Sequence, residues 1–298
     1  MIAGIAAGLL CALLQALSYV CSAGFMRKYH SSLRLVIFSQ LGMGMFSLPL
    51  LPFFYPRGLG ELAAEFWLWV GIWVVVFVIG QVAFFNALRS IEASRMSSLL
   101  GLKIIVLSLI AVVVLRQELN PLQWAAVLIS TVAAVRMNWS GGAHFTWKGI
   151  GYLAAALVFY SLTDMAETHL VRLPREIGIF QAAIGMGVVC YGVLGVLTLP
   201  LLWRFRWTKR QFVLALPFAV TWFLSQVVLF VCFGLLGTVF GNVIQASRGL
   251  ISIGIGIVLL RFGLGKLDAE ISGEMWIRRI VAAVLMTAGI VLYSLASA

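Results

Sequence analysis

The chain is a succession of long apolar stretches separated by short polar breaks, running from residue 2 to residue 296. Scanned with a window of about 19 residues, this pattern predicts membrane-crossing helices near 2–24, 33–55, 65–88, 95–115, 121–138, 148–169, 178–202, 210–234, 239–260 and 278–296. Breaks fall at Arg27-Lys28, Pro56-Arg57, Asn120-Pro121, Ser140-Gly141-Gly142, Pro174-Arg175 and Gly263-Leu264-Gly265, where turn formers and charges cluster. Residues 104–115 are apolar on both parities, unlike the alternating strands of a membrane β-barrel. Backbone in lipid must satisfy its own hydrogen bonds, so the spans are expected to be helices. No break exceeds roughly 20 residues, too few for an extramembrane domain. The expectation is an all-α integral membrane protein of ten helices forming one polytopic domain over 1–298.

Sliding the chain against itself by 145 residues aligns Gly4-Ile5 with Gly149-Ile150, Gln81-Val82 with Gln226-Val227, and Leu115-Arg116 with Leu260-Arg261. One ungapped offset thus relates two halves, 1–145 and 146–298, each with five predicted helices. An odd number of spans per repeat forces the halves into opposite orientations. This is the arrangement of inverted-repeat transporters, whose substrate site lies near the bilayer midplane.

Composition narrows the class further. Of 298 residues, 62% are hydrophobic and 10% charged, with a mean hydropathy of +1.07, which excludes a water-soluble globule. The formal charge of +11 would suit nucleic acid, but the basic residues lie in the short breaks, so no nucleic-acid partner is expected. Fifteen Lys and Arg fall after odd-numbered spans and four after even-numbered ones. The positive-inside rule then places the first set in the cytoplasm and both termini outside a plasma membrane. The four cysteines all sit in apolar stretches without metal-ligand spacing. The first span has no basic residue ahead of it and recurs in the repeat, so it reads as a retained helix rather than a signal peptide.

Two of the 21 basic residues lie inside spans, Lys103 and Arg248. Each is about eight residues in, roughly 12 Å into a core of about 30 Å. They are 145 residues apart, the repeat offset itself. A charge this deep costs on the order of 2.5–3.5 kcal/mol, so it faces a cavity or a partner. As a pair they would grip an anionic group; the alternative is that internal carboxylates neutralise them and merely hold helices together. The sixth span supplies such carboxylates. Tyr160, Asp164, Glu167 and Thr168 follow helical spacing and form one polar stripe, matched in the first span by Gln15, Ser18, Tyr19 and Ser22. Asp164 and Glu167 either bind a substrate ammonium or carry a coupling proton, or else face interfacial water near the helix end. Around Arg248, Asn242, Gln245 and Ser252 share one face suited to a polar ligand. Gln81 and Gln226 read as interhelical hydrogen-bond partners, Gly4-x-x-x-Gly8 and Gly237-x-x-x-Gly241 as packing sites, and the tryptophans, Trp73 included, as an interfacial belt. His30, His144 and His169 lie in or beside breaks, with no catalytic, metal-binding or phosphate-cradling motif, so neither enzyme activity nor a cofactor is expected.

The stretch Ala87-Leu88-Arg89-Ser90-Ile91-Glu92-Ala93-Ser94-Arg95, followed by an apolar span and then Leu115-Arg116-Gln117-Glu118-Leu119-Asn120-Pro121-Leu122-Gln123, resembles the EamA-type permeases of the drug/metabolite transporter superfamily. The resemblance implies a secondary transporter with a central cavity bordered by both halves. Three features depart from that pattern. Ile104 and Ile105 stand where the family commonly has a helix-kinking proline, with Gly249 a candidate for flexibility in the partner span. Gln117 aligns with the family's acidic position, Glu118 being shifted by one, and the family's termini are generally described as cytoplasmic. The superfamily's triose-phosphate and nucleotide-sugar branches also place basic residues in the corresponding spans. The leading expectation is a transporter of a small organic anion or zwitterion, bound by Lys103 and Arg248 with Asn242, Gln245, Ser252, Tyr19 and Tyr160, and coupled to a proton or counter-substrate. An exchanger of phosphorylated or nucleotide-linked metabolites is the second reading. The third is a non-transporting scaffold or lipid-handling protein, which direct pairing of Lys103 or Arg248 with Asp164 or Glu167 would favour.

Overall fold

A computed structural model describes residues 1–55, 63–87, 99–114, 116–138, 147–174, 177–204, 208–248, 251–252, 254–255, 258 and 273–296. Most of the Ala87–Arg95 motif, Gly249, and the breaks at Pro56-Arg57, Ser140-Gly142 and Gly263-Gly265 lie outside them. The described residues are helical throughout their regular structure, with no strand among them. In chain order the helices are α1 Ile2–Tyr29, α2 Ser32–Ser47, α3 Leu51–Phe54, α4 Ala64–Ala87, α5 Lys103–Val113, α6 Pro121–Asn138, α7 Trp147–Arg172, α8 Ile179–Thr198, α9 Leu201–Arg204, α10 Lys209–Leu236, α11 Thr238–Gln245 and α12 Gly273–Ala296. Six segments are long and apolar enough to cross a membrane: Ile2–Tyr29, Ser32–Phe54, Ala64–Ala87, Trp147–Arg172, Ile179–Arg204 and Lys209–Leu236. Leu100–Val113, Pro121–Ala133 and Thr287–Ala296 are shorter apolar helices. The protein is therefore a multi-pass α-helical membrane protein.

The chain divides into two compact units. Met1–Val75 with Ala166–Leu236 forms the first, and Val76–Met165 with Gly237–Ala298 the second. Within the first, α1 packs along α10, and α2 packs on α8 and α10. Small residues permit the close crossings that membrane helices rely on. A Cβ on Gly195 of α8 would sit 2.5 Å from the Gly44 Cα of α2, and one on Gly4 would sit 2.5 Å from Leu236 Cγ. Phe25, Leu35, Ile37, Phe38 and Ala215 form one buried cluster of this unit, and Cys11, Leu229 and Phe233 another.

Within the second unit α6 packs along α12, while α11 packs on α5 and α12. The Asn120-Pro121-Leu122-Gln123 stretch opens α6 through reciprocal capping: the Gln123 amide donates to Asn120 Oδ1 at 2.8 Å, and the Asn120 amide donates to Gln123 Oε1 at 3.0 Å. Pro121 occupies the first helical position, where its missing N–H costs nothing. Asn120 Nδ2 also donates to the Ala296 carbonyl at 3.0 Å, tying this cap to the end of α12. Gly237 separates α10 from α11 with φ 81 and ψ 169, a conformation open to glycine alone. Its role at this junction is thus conformational, beyond the helix packing that its spacing to Gly241 suggested.

Two predicted spans tighten locally beside their cations. A 3₁₀ turn at Leu100–Leu102 precedes Lys103, and the α-helix that begins at Thr238 stops at Gln245, with a turn at Ala246–Ser247 before Arg248. The two tightened turns are related by the same 145-residue offset as the two cations they precede. No proline produces either one.

Candidate functional site

In the second unit, α5, α7 and α11 bring Lys103, Asp164 and Asn242 together. Lys103 Nζ lies 2.7 Å from Asp164 Oδ2, and Asn242 Nδ2 donates to the same oxygen at 2.8 Å. All three residues are largely removed from the surface, Asp164 and Asn242 at 5% and 2% exposure. One carboxylate oxygen therefore accepts from an ammonium and an amide, an arrangement that offsets much of the cost of burying the charges. The Asn242 amide also donates to the Thr238 carbonyl at 2.9 Å, which fixes its orientation. Gln245 is buried one turn further along α11, and Arg248 is half-buried beyond the turn. Of the four internal charges, Lys103 and Asp164 form a direct ion pair, an outcome that favours the scaffold reading.

Not every predicted residue joins this group. Ser252 is exposed, and its hydroxyl donates to the Arg248 carbonyl at 2.9 Å. Tyr160 packs against Phe84 and beside Gly80, within the apolar cluster built on Ala83, Ala87, Leu153, Ala156 and Leu157. Hydroxyls of Ser18, Ser22 and Thr163 likewise donate to carbonyls three or four residues back. Such bonds let a helix carry polar side chains through an apolar medium without an interhelical partner.

In the first unit, Glu167 is 2% exposed and its Oε1 accepts from Trp73 Nε1 at 3.0 Å. Trp73 meets Tyr191 edge-on at 5.4 Å, and Tyr191 meets Phe223 edge-on at 5.9 Å, so the donor to this carboxylate is held in a row of aromatic rings. Trp73 is fully buried, which removes it from the interfacial belt and makes it a site residue that its composition-based assignment missed. Its place ten residues into an apolar span was the available signal. Glu167 does not face interfacial water at the helix end, since it is buried as deeply as Asp164. Tyr19, 40% exposed, has an edge contact with Trp222. Towards the end of α7, His169 Nε2 lies 3.7 Å from Glu65 Oε1 and its ring 4.1 Å from that of Trp69. The Arg172 Nε and Nη2 both donate to the Gly234 carbonyl at 3.4 Å, a cation on the negative end of α10. Among the described residues no group of three or more His, Cys, Asp or Glu comes together as a metal site.

Long apolar helices that carry a buried ion pair and a second buried carboxylate define a membrane protein whose interior handles charge. Residues 2–139 match the EamA-like transporter family, and this match supports an EamA-type member of the drug/metabolite transporter superfamily. A solved structure, described only as the crystal structure of a protein, is similar in fold with a TM-score of 0.70. It shares 16% identity and covers 98% of this chain and 96% of its own. No curated protein matches the sequence.

Proposed function

We propose that the protein is a secondary transporter that moves a small zwitterionic metabolite, an amino acid or a relative of one, across the plasma membrane by alternating access. The Lys103–Asp164 pair carries this reading. A simple anion that draws Lys103 away would strand the Asp164 carboxylate in a buried site, a penalty of several kcal/mol. A zwitterion exchanges one ion pair for two, its carboxylate on Lys103 and its ammonium on Asp164, while Asn242 keeps its hold on Asp164. An organic anion is accommodated on the same residues when a proton neutralises Asp164, which makes Asp164 the coupling site in that case. Arg248 and Gln245 supply further polar contacts to the substrate.

The paired tightened turns support both the site and the repeat. A short tightened turn of right-handed helical backbone directly precedes each member of the symmetry-related cation pair. This favours ten helices in two inverted five-helix repeats, 1–145 and 146–298, in one polytopic domain. The bias of 15 basic residues against four favours termini outside the cell. Two cations accompanied by a carboxylate suit a single negative group better than a phosphate dianion, which places phosphorylated metabolites second.

One observation favours a different reading, that of a static scaffold: the ion pair is already closed at 2.7 Å. Proteoliposomes separate the two. Loaded with unlabelled amino acids, they should accumulate a labelled amino-acid mixture, and Lys103→Gln should abolish accumulation. Uptake no greater than in protein-free liposomes, for amino acids and organic acids alike, contradicts transport and supports the scaffold.

A further inference from the structure

We propose that one end of the first unit, where α1 terminates and α2 and α10 begin, is a binding surface for anionic phospholipid headgroups. Arg27 and Lys28 occupy the last turn of α1, Arg34 the first turn of α2, Arg204 ends α9, and Lys209 and Arg210 open α10. The buried cluster of Phe25, Leu35, Phe38 and Ala215, with Tyr29, Leu202 and Phe212 packed on it, holds these helix ends together. Each cation lies one to three residues from a member of that cluster, so six positive charges share one end.

The two helix starts make this surface more than a general positive bias. A helix N-terminus carries partial positive charge and favours acidic residues in its first turn. The first turns of α2 and α10 contain no acid and instead carry Arg34, Lys209 and Arg210. Backbone dipoles and side chains thus reinforce one another, and an external anion is what would balance them. Among the described residues of this unit the acids are Glu65 and Glu167. Glu167 is buried against Trp73, and Glu65 pairs with His169 three residues before Arg172, which bonds the far end of α10. Neither can neutralise the basic end.

The partner is a lipid headgroup because apolar side chains are exposed among the charges. Leu33, Leu201 and Trp203 flank Arg34 and Arg204, with Trp203 94% exposed. Lys28 Nζ lies 5.8 Å from the centroid of the Tyr29 ring. Cations beside exposed aromatic and aliphatic groups match the boundary where phosphate meets acyl chain.

The test is thermal unfolding of the detergent-purified protein with added short-chain phosphatidylglycerol, phosphatidylcholine of the same chain length, or inorganic phosphate. Phosphatidylglycerol should raise the melting temperature more than the other two, and the excess should collapse at high salt. Each basic residue near an anionic headgroup strengthens binding about fivefold, so Lys209→Gln with Arg210→Gln should weaken the phosphatidylglycerol dependence roughly thirtyfold. Equal shifts from both lipids, or a phosphatidylglycerol effect unchanged in this variant, overturn the proposal. A shift from inorganic phosphate equal to that from phosphatidylglycerol overturns the lipid assignment in favour of a free-anion site. If the double variant does not fold, the salt dependence of the wild-type protein decides: a phosphatidylglycerol effect that persists at high salt overturns it.

Discussion

Removing one member of the Lys103–Asp164 pair should be far more damaging than removing both. At 2.7 Å and an effective dielectric constant of about 20, the direct attraction is about 6 kcal/mol. Most of that replaces hydration lost on burial, so the pair itself contributes little net stability, while either charge left alone is strongly unfavourable. Side-chain exposures of 15% for Lys103 and 8% for Asp164 leave little water to compensate. Lys103→Met and Asp164→Leu should each destabilise the fold by about 3–5 kcal/mol, and the double variant by about 1–2 kcal/mol because Asn242 loses its acceptor. The coupling, obtained by subtracting the double from the sum of the singles, is then at least about 4 kcal/mol. Unfolding by increasing SDS in mixed micelles measures all three. Single costs below about 1 kcal/mol that add in the double variant would show that the two groups are separately solvated, and the reasoning that derives a zwitterionic substrate from this pair would fall with them.

Further predictions concern the surrounding architecture. Gly195→Ala should lower stability by about 1–3 kcal/mol, because the new methyl meets the Gly44 backbone rather than a movable side chain; a neutral effect in the same unfolding assay would mean that α2 and α8 do not cross there. Trp73→Phe keeps the ring but removes the donor to Glu167, and should cost about 1–3 kcal/mol, largely recovered when combined with Glu167→Leu; undiminished cost in the combined variant would assign it to packing. Asn120→Ala should cost about 1–2 kcal/mol by removing the α6 cap, and hydrogen exchange should rise in the first turn of α6. Protection unchanged in that turn would dismiss the capping role.

Much of this arrangement was legible in the chain before any fold was known, and the reasons are specific. Lys103, Asp164 and Asn242 stand out because polar groups in an apolar span carry a cost that demands a partner. Spacing within a span cannot say which partner, since that depends on how α5, α7 and α11 meet. The same ambiguity applies to Ser252, because a serine hydroxyl in a helix can be satisfied by its own backbone and then reports nothing about a cavity. Trp73 was assigned by the habit of tryptophan to sit at interfaces, a tendency that its depth in the span already contradicted. The tightened turns before Lys103 and Arg248 were hidden for want of a proline. Gly101 and its counterpart at the repeat offset, Ala246, are small residues that gave a faint sign of them.

The central claim is that Lys103 and Asp164 recognise a zwitterion, and thermal stabilisation by a ligand panel tests it most directly. Amino acids, organic acids, sugar phosphates, nucleotides and cationic drugs are each added to the purified protein and to Lys103→Gln, Asp164→Asn and Arg248→Gln. A ligand at a hundredfold its dissociation constant stabilises the folded state by about 2.7 kcal/mol, which is readily detected. The account predicts stabilisation by one or more amino acids that is lost in Lys103→Gln and in Asp164→Asn. Stabilisation by sugar phosphates or cationic drugs alone, or amino-acid stabilisation that survives both substitutions, would contradict it.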